Sequence, residues 1–364
     1  MKSAQNKEEF MNQFSKAALS ATVALSMIVP SAIYAQEQDT ENVNTNAAIY
    51  KTLEQQQNAL SAYPILTQAG FEPYSDETEK GTYVIPGLDS TLTLDDQDKV
   101  ESCDSMTPQG VAMADDYILI SAYCHEHEHH SVLYVLSRNT HEYVKTIVLD
   151  GKPHAGSIAY DPIARNVWIA TKDHKNDTGS ASFIKLANLD TYDFTKDKAP
   201  LKYDYSIDLP QLRDDSFMTC YNRQLYCGYF SKHDNSVKTY IYDINEADGK
   251  LDTTKRHVAK AYGFDKIGDN CQGIAIDDKH IYLSSSDGPK SNSTLSIFEK
   301  SEHSLLTSNA QKNVTLPPRL EQIYPTGNGG LLTMYESASS AYRDEGSTIV
   351  DRVVTMNIED MLKN

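Results

Sequence analysis

The stretch Cys103–Leu136, C-D-S-M-T-P-Q-G-V-A-M-A-D-D-Y-I-L-I-S-A-Y-C-H-E-H-E-H-H-S-V-L-Y-V-L, sets out the unit from which the chain is built. A polar lead-in ends at Gln109-Gly110, a short apolar run follows, and Asp115-Asp116 marks a turn. A second run rich in Ile and Tyr, a His-rich loop and a third apolar run complete the unit. Short runs of branched and aromatic residues bounded by Asp, Asn, Gly and Pro read as strands, because such side chains fit a pleated surface.

The same two-strand signature starts at Gln109, Gly156, Ser216, Gln272 and Gln322. Starts separated by 47, 60, 56 and 50 residues suit one four-stranded blade per repeat. The fifth copy runs out of chain after V-V-T-M-N-I (Val353–Ile358) and lacks a fourth strand. A ring of blades has to hide its last sheet edge. T-Y-V-I-P (Thr82–Pro86) or T-L-T-L (Thr91–Leu94) can supply the missing strand. The expected fold is all-β: a five-bladed β-propeller over residues 82–364, closed by an N-terminal strand, with a short N-terminal helix.

Residues 1–35 read as a secretory signal. Ala17–Val29 is an apolar run preceded by Lys16, and A-I-Y-A ends at a small-residue cleavage site, Ala35. The run is shorter than the roughly 20 residues a membrane span needs. Residues 36–81 are a polar segment holding a helix (Asn46–Ala69, broken around Pro64) and a charged linker. The expected location is secreted or loosely attached to the cell surface. The formal net charge is −18. Loss of the leader, with three lysines and two glutamates, leaves the mature chain slightly more acidic. Such a surface repels phosphate backbones, so no nucleic-acid partner is expected. The partner expected instead is a small molecule or a surface protein.

Residues 132–171, V-L-Y-V-L-S-R-N-T-H-E-Y-V-K-T-I-V-L-D-G-K-P-H-A-G-S-I-A-Y-D-P-I-A-R-N-V-W-I-A-T, resemble the YVTN-type repeat of lactonase-like propellers. The match covers this one repeat and is fragmentary in the other four. It implies a blade and carries no catalytic residue. Gluconolactonase- and paraoxonase-like propellers bind calcium in the tunnel through Glu, Asn and Asp. By that resemblance Glu321 and Asp215, with neighbouring amides, are the positions such an ion would use, since hard oxygen ligands suit calcium.

In a propeller the innermost-strand starts and the loops between second and third strands open on one face. The strand starts offer Gln109, His154, Asp215, Gln272, Glu321 and Gln322 as ligand-binding candidates. Convergent polar groups at a tunnel mouth are the default ligand site. The competing expectation is that the glutamines bridge neighbouring blades through backbone hydrogen bonds. Tyr123, Tyr335 and Tyr342 are placed to stack on a sugar or peptide ring.

In the loop C-H-E-H-E-H-H, His125, Glu126 and His129 match H-E-x-x-H, which needs a helix. Between two β runs a helix does not fit, so the metalloprotease reading fails. In an extended chain His125, His127 and His129 point the same way and can share a zinc ion. There is no G-x-S-x-G elbow and no nucleophilic-cysteine context. The five cysteines read as structural, with Cys103–Cys124 the favoured disulfide. Cys220 and Cys227 sit diagonally across a hairpin, and Cys271 is either free or the partner of Cys124. The functional expectation is a non-catalytic propeller binding a ligand at its tunnel mouth. A metal-dependent lactonase or esterase is the alternative, with calcium or zinc as its cofactor.

Overall fold

The structure is a computed structural model that describes residues 49–68, 81–171, 178–213, 217–232, 237–255, 257–346 and 348–363. Strands β1 (Thr82–Val84), β2 (Thr91–Leu94) and β3 (Val100–Cys103) precede the first blade. That blade is β4 (Met106–Ala114), β5 (Tyr117–Cys124), β6 (Val132–Ser137) and β7 (Tyr143–Val148), antiparallel in chain order. The second is β8 (Ile158–Asp161), β9 (Asn166–Ala170), β10 (Gly179–Lys185) and β11 (Tyr205–Leu209). The third is β12 (Phe217–Tyr221), β13 (Gln224–Gly228), β14 (Lys238–Asp243) and β15 (Ala261–Ile267). The fourth is β16 (Cys271–Ile276), β17 (His280–Ser285), β18 (Ser293–Glu299) and, after the two-residue β19 (Ser304–Leu305), β20 (Lys312–Leu316). β19 pairs in parallel with β15, extending the third sheet by one strand.

The fifth blade combines β21 (Leu320–Pro325), β22 (Gly330–Tyr335) and β23 (Arg352–Asn357) with β1 as its outer strand. The register sets Thr82 against Val354 and Val84 against Arg352. Of the two segments that could seal the ring, Thr82–Pro86 does so. Thr91–Leu94 instead pairs with β3 in a separate hairpin. The innermost strands pack in a circle: β4 on β8, β8 on β12, β12 on β16, β16 on β21 and β21 back on β4. The chain is a five-bladed β-propeller.

Burial follows from that geometry. Every residue of β4 is buried, whereas the leading half of β7 is only partly covered, with Val144 exposed. An inner strand is covered by its neighbours on both faces and the outer one is not. The apolar residues between blades form the core, with Trp168, Tyr134, Tyr242, Phe183 and Phe298 among the largest fully buried side chains. Several tyrosines carry their hydroxyls to the next blade. Tyr160 donates to Asp115 at 2.7 Å, Tyr221 to Asp278 at 2.9 Å, and Tyr324 to the Met113 carbonyl at 3.3 Å. The Asp-Asp turns read as strand punctuation are thus also latches between blades.

Helices α1 (Leu53–Ala59) and α2 (Pro64–Gln68) pack on the outside of blades four and five. Thr52 and Gln55 close a capping box at the start of α1. Leu60, Tyr63 and Leu66 are buried with Leu316, Ile323 and Met356, while the Tyr63 hydroxyl donates to Asn292 at 2.7 Å. Helices α3 (Leu186–Thr191) and α4 (Phe194–Asp197) follow β10, and α5 (Ile358–Lys363) follows β23. No helix among the described residues is long and apolar enough to cross a membrane. The leader, the polar residues after it and most of the charged linker lie outside the described residues.

Candidate functional site at the tunnel mouth

Three innermost strands carry a β-bulge at the same point. The register shifts between Pro108 and Val111, between Cys271 and Gly273, and between Leu320 and Ile323. A bulge inserts an unpaired residue and re-aims its side chain. Here the residues released are Gln109, Gln272 and the pair Glu321-Gln322, four of the six positions read from the sequence.

Gln109 lies at the centre of a buried chain of hydrogen bonds. Its Nε2 donates to Glu336 Oε2 at 2.9 Å, and its Oε1 faces His154 Nε2 at 3.0 Å. Arg319 donates to Glu336 Oε1 at 2.5 Å and also bonds Glu345. Gln272 Nε2 donates to Glu321 Oε1 at 3.3 Å. Above these groups sit aromatic faces. Tyr123 lies 4.2 Å from the His154 ring, His125 meets Tyr342 edge-on at 5.2 Å, and the Arg319 guanidinium stacks 3.6 Å over Tyr342.

The two carboxylates share one low-dielectric space. Burial pushes Glu321 well above the usual carboxylate range, and the charge of Glu336 pushes it further. Burial also raises Glu336, against the pull of Arg319 and Gln109. Burial alone would lower the Arg319 guanidinium; Glu336 and Glu345 outweigh it and raise it. Arg319 and Gln109 offset part of the rise at Glu336, whereas burial and the charge of Glu336 together press Glu321 toward its protonated form. Folded Glu321 therefore keeps its proton to a higher pH than it does in the unfolded chain. Between those two values the folded state binds more protons, so stability falls as pH rises through that window. Glu321→Gln is expected to melt with the native protein near pH 4 and on the order of a few degrees above it at pH 8. Thermal melts across that range check the sign.

Gln322 takes the other role foreseen for the glutamines. It is fully buried on the ring axis. Its Oε1 accepts from Val111 N at 3.0 Å and Ile158 N at 2.9 Å. Its Nε2 donates to the carbonyls of Ile158 at 2.6 Å and Met218 at 3.2 Å. One side chain thus ties the fifth blade to the first three and leaves no polar capacity for a ligand. Two glycines make room for this packing. A Cβ on Gly110 would lie 2.5 Å from Ser121 Oγ and 2.8 Å from Gln322 Oε1, and one on Gly273 would lie 2.6 Å from Ser284 Oγ.

The histidine loop departs from the extended course expected of it. His127 has φ +57°, a left-handed turn that ends the alternation. His125 and His127 turn to Tyr123, while the Nδ1 of His129 approaches Cys124 Sγ at 3.4 Å. The structure does not bring the three imidazoles together. No disulfide joins the expected Cys103–Cys124 pair in the structure, where none of the five cysteines is joined to another. Cys103 and Cys124 are nonetheless neighbours, each in contact with Ser105 Oγ, at 3.6 and 3.4 Å. Cys220 and Cys227 are diagonal, each paired across the hairpin with another residue. Tyr335, expected at the mouth, ends β22 and is fully buried in the core with Leu320, Ile323 and Val354. Asp215 lies outside the described residues.

Glu336 and Arg319 are not among the residues the sequence singles out. Glu336 follows the last residue of a second strand, where no motif marks it. Arg319 has one signal: a basic residue two positions before Glu321. Its φ of +65° turns the side chain into the mouth. Among the described residues, one group of three metal-type donors has ligand atoms within 4.8 Å of one another: Cys103, Cys124 and His129. Glu321 and Glu336 have no third donor within such reach among those residues.

The fold and site define a five-bladed propeller with a buried, arginine-paired carboxylate couple at its mouth. No family model and no curated protein matches the chain. The likeness of residues 132–171 to a YVTN-type repeat therefore describes a blade pattern. Among solved structures, the chain is similar to hydrazine synthase from Kuenenia stuttgartiensis, at 12% identity over 64% of this chain and 56% of that one, with a TM-score of 0.37. It is similar to the PQQ-bound aldose sugar dehydrogenase of Streptomyces coelicolor, at 10% identity over 76% and 93%, TM-score 0.38. It is also similar to the β-propeller domain of the trilobed protease from Pyrococcus furiosus, at 8% identity over 64% and 78%, TM-score 0.34. The chain spans little more than half the length of the hydrazine synthase. Likeness at this level says nothing about a ligand.

Proposed function

We propose that the protein is an exported binding module that takes a small polar ligand, neutral or positively charged, over its tunnel mouth. The observation that carries this reading is the convergence of Glu321, Glu336, Gln109, Gln272 and His154 beneath the rings of Tyr123 and Tyr342. Amides and a protonated acid recognise hydroxyl or amine groups by hydrogen bonds, and the tyrosines add stacking surface. The surplus of carboxylates over Arg319 disfavours an anion. Gln322 blocks the axis below, so the ligand is held on the face rather than threaded through.

A thermal-shift screen of monosaccharides, oligosaccharides and primary amines tests the reading. At least one compound is expected to raise the melting temperature of the native protein and to lose most of that effect in Tyr123→Ala and Glu336→Gln. A screen without a hit, together with a large drop in melting temperature on adding a calcium chelator, would replace this reading with the metal-dependent hydrolase. That alternative needs a third oxygen ligand beside Glu321, and Asp215 is the residue it would draw on.

A further inference from the structure

We propose that Cys103, Cys124 and His129 form a binding site for a thiophilic cation, Zn2+ or Cu+, where the β2–β3 hairpin docks on the first blade. This site is separate from the tunnel mouth and does not depend on the function proposed for it.

Three elements bring the donors together. Cys103 ends β3, Cys124 ends β5, and His129 sits in the loop that follows. The left-handed turn at His127 reverses this loop, and backbone contacts clamp it to the hairpin. Asp95 bridges to His129, and His130 N donates to the Leu94 carbonyl at 2.8 Å. Both cysteines are almost completely buried and the His129 side chain is 11% exposed. The ligand atoms all lie within 4.8 Å of one another.

The spacing and the surroundings both fit a metal. With zinc bonds of about 2.3 Å to sulfur and about 2.0–2.1 Å to nitrogen, a tetrahedral centre puts its S and N donors about 3.5 Å apart. Cys124 Sγ and His129 Nδ1 are 3.4 Å apart. The other ring nitrogen, Nε2, faces Glu101 Oε2 at 3.5 Å. That is the carboxylate–histidine order that orients an imidazole ligand and frees its inner nitrogen for a cation. Two sulfurs and one imidazole select a soft or borderline ion over calcium or magnesium. Ser105 Oγ lies beside both sulfurs, and a fourth position is left to it or to solvent.

The full-length protein, reduced and freed of metal, is titrated with Zn2+ against a colorimetric chelator and separately with Cu+ against bicinchoninate. One equivalent of one or both ions is expected to bind. Cys103→Ser, Cys124→Ser and His129→Gln should each weaken uptake at least tenfold, and His127→Asn should not. Glu101→Gln, a positioning change, is expected to weaken it about tenfold to a hundredfold. Thermal melts of the metal-free variants separate lost ligands from lost fold, and His129→Gln leaves the strand residues untouched. Failure of both ions to bind stoichiometrically would overturn the proposal, as would uptake indifferent to His129→Gln. Recovery of a Cys103–Cys124 disulfide from protein purified with excess Zn2+ would do the same.

Discussion

Gln322→Leu is expected to lower the unfolding free energy by about 3–6 kcal/mol. The substitution strands two backbone N–H groups, of Val111 and Ile158, and two carbonyls, of Ile158 and Met218. A buried polar group left without its partner costs about 1–3 kcal/mol, and four neighbours sharing one partner do not add in full. A water molecule entering the gap recovers part of the loss, which sets the lower figure. Leucine keeps the apolar bulk, so the measured loss reports the hydrogen bonds rather than an emptied cavity. Urea denaturation monitored by circular dichroism reads the change directly. A loss below about 1 kcal/mol would mean that the axis does not hold the blades together.

The second large effect is expected from a chain that begins at Gly87. It lacks β1 and with it the pairing of Thr82, Tyr83 and Val84 to β23. Tyr83 and Ile85, both fully buried, go as well. Removing large buried side chains costs about 2–5 kcal/mol each, and an uncovered strand edge invites pairing with other copies. The helices that pack on blades four and five are lost in the same step. Buried Gln56 lies against the Arg352 guanidinium, and Tyr50 N donates to Asp351 at 3.0 Å. The shortened protein is expected to lose its cooperative melt and to aggregate, as light scattering would show. A peptide of residues 81–86 added in trans should restore part of the melt by joining the free edge. A shortened chain melting within a few degrees of the native protein would show that the ring does not need its seal.

The repeat was legible because each blade states its own pattern: branched and aromatic runs, Asp-Asp or Asn turns, and a fixed order of strands. The missing outer strand of the fifth copy pointed to an N-terminal segment, Thr82–Pro86 or Thr91–Leu94, since a ring with an odd strand left over has one vacancy to fill; the pattern did not choose between them, and the pairing with β23 falls to Thr82–Val84. The pairing of Thr91–Leu94 with Val100–Cys103 was not legible, because a four-residue strand carries no mark of its partner. From that unseen hairpin follows the meeting of Cys103 with His129. The site was half legible for a related reason. Gln109 and Gln272 open their repeats and Glu321 stands one place before Gln322, which opens the fifth, so the ring brings them to one mouth whatever the local detail. Gln322 matches Gln109 and Gln272 in sequence but faces the axis, and only the bulge beside it decides which of two adjacent buried side chains turns to the mouth. Glu336 reaches the mouth from the end of a second strand, and Arg319 through a left-handed backbone position that no residue preference announces.

The way the ring is sealed fixes an order of events. A ribosome makes Thr82 long before Val354, its partner in the last blade. The first β-strand of the propeller to leave the exit tunnel is therefore the one that waits longest for a mate, across about 270 intervening positions, and such distant pairings are slow to form. In the exported module proposed above, that delay suits passage across a membrane before the final zip. It also makes residues 352–354 decisive, because a chain stopped just short of them would carry every other blade and still stand open.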